Sequence, residues 1–113
     1  MEKFMLIFHG ANSNDLSPEV MESQMGKWMA WVEKLNQNGR YVAGDPLLPG
    51  GKLLTNSNKA GTDGPYTEGK EVVGGYMIIN AASMDEAVQI AQDFPDFDYE
   101  GSVQVRQVVN MDM

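Results

Sequence analysis

Cysteine is absent from the 113 residues, which rules out disulfides and thiolate-held metals and suits a reducing cytoplasm. Histidine occurs once, at His9. A zinc centre would therefore lean on carboxylates, in a ligand spacing the chain does not display; no metal and no cofactor is expected. Bases are also scarce: eight Lys and Arg against sixteen Asp and Glu give a formal charge of −8. That balance repels phosphate backbones and anionic membranes, so nucleic acid is not an expected partner. The acids are scattered and form no tail, as in a solubilising surface. No apolar run approaches the roughly 20 residues that span a bilayer. The opening MEKFMLIFHG turns polar too soon for a secretory signal. The expectation is a cytoplasmic protein with no membrane partner.

What the chain does have is a regular alternation of elements. Phe4 to Phe8 is an apolar run of strand length, closed by His9-Gly10. Both of its alternating sets, Phe4/Leu6/Phe8 and Met5/Ile7, are apolar, which predicts a strand covered on both faces. Ser17-Pro18-Glu19 opens a helix, with Ser17 as N-cap, Pro18 in the first turn and Leu16 stapled on Met21. Met21, Met25, Trp28, Met29, Val32 and Leu35 recur at helical spacing until Asn38-Gly39, and this stripe is expected to face the core. Most of the nine methionines are expected there too, Met being an adaptable core filler. A second strand spans Arg40 to Ala43 and continues toward Leu48, with Pro46 marking an edge or a bend. Lys52 to Thr55 is a minor strand, and Asn56 to Lys70 reads as a long polar, irregular stretch. A loop of that length in a compact domain is a functional or mobile one. Glu71 to Asn80 is a third strand, in which Gly74-Gly75 permits a bulge or the close approach of another group. Ser83 to Glu86 has capping-box spacing and opens a helix through Phe94, ended by Pro95. Ser102 to Val109 is the last strand.

Two β-α-β units in tandem predict one α+β domain over 1–113, ferredoxin-like in order. Its antiparallel four-stranded sheet carries both helices on one face. The other face then needs cover, most simply a second copy packed sheet to sheet across a two-fold axis.

Several stretches carry a likeness: KFMLIFHG; Leu35 to Gly39; Thr62-Asp63-Gly64-Pro65-Tyr66-Thr67-Glu68 followed by Lys70-Glu71; Gly74-Gly75-Tyr76; and Ser102 to Arg106. Through them the chain resembles a YCII-related protein of the DGPF type, with Tyr66 where that family often has Phe. The resemblance implies a dimeric α+β barrel with a cleft near the subunit interface. Some YCII-like relatives are lyases that eliminate HCl from chlorinated aromatics with a His-Asp pair, the histidine lying on the first helix. Trp28 stands near that position here, and a non-enzymatic regulatory or scaffold protein is the alternative.

Candidate site residues follow from chemistry and resemblance together. Imidazole is the side chain whose unperturbed pKa lies near neutrality, which makes His9 a proton carrier at a strand end or simply a strand terminator. Asp63 is a general base held by the Gly64-Pro65 turn, or the cap of an Asx-turn. Glu68, Lys70 and Glu71 alternate as on a solvated edge. With the loop folded over the sheet, Tyr66, Glu68 and Lys70 would instead meet a small, unidentified ligand. In the last strand, Val103 and Val105 would face the helices, which points Gln104 and Arg106 to the other face. There Arg106 needs a carboxylate, either from a structural pair or from an anionic substrate.

Overall fold

The computed structural model describes residues 1–10, 17–48, 50–63 and 72–111, with the backbone alone for 62 and 63. The elements are β1 (Glu2–His9), α1 (Pro18–Gln37), β2 (Tyr41–Pro46), β3 (Lys52–Thr55), β4 (Asn58–Asp63), β5 (Val73–Ala81), α2 (Met84–Ala91), a 3-10 helix (Pro95–Tyr99) and β6 (Ser102–Gln107). Four strands pair in the order β2-β5-β1-β6, every neighbour antiparallel. Among these four, the second, third, first and fourth in sequence lie side by side, which is the ferredoxin-like arrangement. β3 and β4 pair only with each other, as a separate hairpin.

Alternation along the strands sorts residues between the two faces. Phe4, Leu6 and Phe8 of β1 are buried with Met77, Ile79 and Ala81 of β5, while Met5, Ile7 and His9 are only half-buried. Trp31 and Leu35 of α1 and Ala87 and Ala91 of α2 close the buried side. The alanines carry no bulk beyond Cβ, so α2 can lie close on the sheet. Aromatic rings fill the rest: Phe8 meets Trp28 edge-on at 4.9 Å and stacks on Phe94 at 5.1 Å between centroids. Such offset and edge-to-face arrangements suit the ring quadrupoles.

The helix starts follow their sequence signals. Ser17 accepts from the Val20 amide at 3.2 Å, and Ser83 accepts from the Glu86 amide at 3.2 Å. Glu86 accepts in turn from the Ala82 amide at 3.1 Å and pairs with Arg40 at 2.6 Å. One carboxylate thus joins the start of α2 to the entry of β2.

The structure corrects three expectations. Met21, Met25 and Met29 are exposed, the last two by 63% and 66%, and Met77 is the methionine in the core. The buried arc of α1 centres instead on Gln24, Trp31 and Leu35, about a quarter turn away from the Met row. Gln24 holds that rotation by donating to the Pro95 carbonyl at 3.1 Å and to Asp96 Oδ1 at 2.8 Å. The two indoles, larger than any thioether, then occupy the sheet side. Second, 58–63 is a strand and not irregular. Thr55 Oγ1 accepts from the Asn58 amide at 3.1 Å and closes the turn, and backbone pairing needs no apolar pattern. Third, α2 ends at Ala91, and Phe94 reaches the core from the start of the 3-10 helix. Leu16 lies outside the described residues.

These assignments predict unequal costs for two apolar truncations. Leu6→Ala, at a fully buried site, should cost about 2–5 kcal/mol in urea unfolding. Met25→Gln should change stability by about 0.5 kcal/mol or less. Comparable losses for both would return the Met row to the core.

Candidate functional site

The face of the sheet turned away from the helices is ordered by strand register. One row across it runs Arg106, Met5, Ile78, Ala43, and the next runs Gln104, Ile7, Tyr76, Asp45. His9, opposite Ser102, takes the following same-face position on β1. It is a diagonal neighbour of Tyr76, a step of roughly 7–8 Å in an antiparallel pair.

Within the second row the Tyr76 hydroxyl donates to Asp45 Oδ2 at 2.9 Å. Two glycines make this contact possible. A β-carbon at Gly75 would stand 2.9 Å from the Asp45 carbonyl oxygen, and one at Gly44 would stand 2.9 Å from the Tyr76 carbonyl oxygen. Without those side chains β2 lies tightly along β5, and Asp45 comes beside Tyr76. Gly74 is the extra residue of a bulge, since Phe8 pairs with Gly75 and His9 with Val73. Both roles foreseen for Gly74-Gly75, a bulge and a close backbone approach, are present.

The hydrogen bond to Asp45 is the largest cause that holds the Tyr76 phenol above its ordinary pKa; the Asp45 charge, partial burial and Tyr41 act in the same direction. At neutral pH the phenol keeps its proton and directs it at the carboxylate. What the pair offers outward is lone pairs on Asp45 and on the phenol oxygen. The matching ligand group is a donor, such as a hydroxyl.

The model of the YCII-related domain matches residues 3–112. The chain belongs to the YCII-related family. No curated protein matches it. Among solved structures it is similar to 5-chloro-2-hydroxyhydroquinone dehydrochlorinase from Burkholderia phenoliruptrix AC1100, in complex with 2,5-dihydroxybenzoquinone. That match has 17% identity and a TM-score of 0.57, and covers 95% of this chain and 94% of the other. At that identity the likeness concerns the fold.

In this YCII-related chain the predicted site residues fall in different places. His9 ends β1, half-buried, and Arg106 is exposed on the same face opposite Met5. Asp63 ends β4, its backbone opposite Lys52 in the hairpin; its side chain lies outside the described residues. Tyr66, Glu68 and Lys70 lie outside them as well. Asp45 was missed by sequence reasoning because it abuts Pro46 at a strand end. Its signal was an acid two residues after Ala43 in an edge strand. Trp28 packs among Phe8, Trp31 and Phe94 and has no proton chemistry to offer. Among the described residues no helix is long and apolar enough to cross a membrane, and no three His, Asp or Glu gather as metal ligands.

The Asp45–Tyr76 pair should be visible in titration. Asp45→Asn should bring the Tyr76 transition down toward the ordinary phenol range, assigned among the four tyrosines by comparison with Tyr76→Phe in ultraviolet difference spectra. Because the folded value is raised, the pair's contribution to stability is complete below the ordinary phenol pKa. It is lost as pH rises through the folded value. Gly75→Ala should destabilise by about 1–3 kcal/mol through overpacking against β2 and reduce the same titration shift. A variant with wild-type stability and titration would contradict the close approach of the strands.

Proposed function

We propose that the chain is a cytoplasmic, dimeric small-molecule-binding protein that performs acid/base chemistry of the lyase kind on a small aromatic or anionic substrate. The observation that carries this is the Tyr76–Asp45 pair on the uncovered sheet face, diagonal to His9. A carboxylate and an imidazole on one face supply a proton acceptor and a proton donor. One takes a proton from the substrate while the leaving group departs with its bonding electrons, and the other returns a proton. In this proposal Asp63, Tyr66, Glu68 and Lys70, named from the sequence, are further candidates for acid/base work and substrate contacts. A hydroxylated ring suits the acceptor atoms of Asp45 and Tyr76. The dehydrochlorinase that shares the fold, bound to a dihydroxybenzoquinone, supports that substrate class.

The dimer rests on the half-exposed Met5, Ile7, Tyr76 and Ile78, which two helices on the opposite face leave without cover. A non-enzymatic scaffold that uses the same face only as an interface is favoured by one observation. Trp28 occupies the core near the helix position where lyase-like relatives place their histidine.

Thermal unfolding with 2,5-dihydroxybenzoquinone and with a chlorinated hydroxyhydroquinone separates the two, since a binder of the folded state raises Tm. A rise of several degrees for the wild type is expected, smaller in Tyr76→Phe and in His9→Gln, with chloride released from the chlorinated probe. No shift and no chloride would leave the scaffold. Sedimentation at micromolar concentration should show a dimer, and a monomer there would contradict the shared sheet face.

A further inference from the structure

The uncovered face carries two charges of opposite sign that stand too far apart to pair within one chain. Asp45 and Arg106 stand at diagonal corners of the two register rows, with Met5, Ile7, Ile78 and Tyr76 between them. Strand spacing and rise put those corners roughly 16 Å apart, beyond any ion pair within one chain. Arg106 has no ion-pair partner among the described residues, unlike Lys34 and Arg40, which pair with Asp93 and Glu86. Asp45 is the only carboxylate among the described residues of that face. The remaining two corners, Gln104 and Ala43, are neutral. Lys3, on the same face beside Asn80 and Val108, sits at its far end, where a lysine can reach water.

A two-fold axis between facing sheets can run along the strands or across them. Across them, each Arg106 comes to lie over the partner's β6, where the described residues offer no acid. Along them, the β6 edge of one chain lies over the β2 edge of the other. A modest tilt centred on the apolar quartet then brings each Arg106 to the opposite Asp45, twice by symmetry. The closed face removes both charges from water, and an unpaired guanidinium there would be costly.

We propose that Asp45 of each protomer pairs with Arg106 of the partner subunit, so that the candidate site is completed by a residue from the second chain. This rests on the dimer proposed above. Asp45 Oδ2 already accepts from Tyr76; a bidentate guanidinium takes two more of the carboxylate's roughly four lone-pair sites and leaves one, with the phenol oxygen, for a substrate hydroxyl. Arg106 thereby leaves the role of substrate ligand and becomes the residue that holds the Asp45 carboxylate in place.

Charge reversal tests the pairing. Asp45→Arg alone and Arg106→Asp alone each bring like charges together at both contacts, and each should weaken the dimer by at least about tenfold in Kd by sedimentation. Mixing the two single variants restores unlike charges at both contacts. The mixture should form a heterodimer within a few-fold of wild-type affinity, as should the double variant with itself. Circular dichroism establishes that each variant is folded, and Arg106→Gln serves as a milder second probe, expected to weaken the dimer without repulsion. Single reversals that leave Kd unchanged, or a mixture that stays dissociated while the wild type is a dimer, would overturn the pairing alone. A monomeric wild type would overturn the dimer itself.

Discussion

Two helices can cover one side of a four-stranded sheet and no more, and most of this molecule's character follows from that limit. On the covered side the space between helices and strands is filled by Phe4, Leu6, Phe8, Trp31, Leu35, Met77, Ile79 and Phe94. Ala87 and Ala91 let α2 come close. Gln24, the one buried polar side chain among the described residues, is satisfied by Pro95 and Asp96, so the polar group costs little and sets the rotation of α1. On the other side the same strands present Met5, Ile7 and Ile78, half-buried and outside the core cluster.

The uncovered side is not uniform. β2 can lie tightly on β5 only because Gly44 and Gly75 lack side chains, and that approach brings a carboxylate to a phenol. The pair is a backbone consequence before it is a chemical one. A charged group stands at each of two opposite corners around an apolar centre. In the dimer proposed above, interface and reactive site would share one surface, the hydrophobic centre supplying affinity and the ionic corners supplying orientation.

Much of this was legible in the sequence where one local rule dominates. Ser17-Pro18 and Ser83 mark helix starts because a side-chain oxygen satisfies an amide that the helix itself cannot. Val103-Gln104-Val105-Arg106 announces its two faces by period two, and Gly74-Gly75 announces the bulge. The likeness to the YCII-related family rests on motifs spread from β1 to β6, and the family match spans nearly the same residues. Where two local patterns compete, the sequence is ambiguous. α1 carries a Met row and a Trp row at the same spacing, and periodicity cannot say which meets the sheet. The strand at 58–63 has Ala60 as its one apolar side chain, so no alternation betrays it. The part of the candidate site on the DGPY segment remains a sequence expectation, since Tyr66, Glu68 and Lys70 lie outside the described residues.

The sequence by itself determined the order of the four sheet strands and two helices, the helix caps, the family likeness and the expectation that two helices leave one sheet face to other cover, because each depends on spacing along the chain. Only the tertiary structure decided which side of α1 is buried and which residues share a row on the open face. Asp45 and Tyr76 are 31 residues apart, and Asp45 and Arg106 lie at opposite edges of the sheet. Their relation is set by register, which arises when strands distant in sequence exchange backbone hydrogen bonds. No local pattern encodes it.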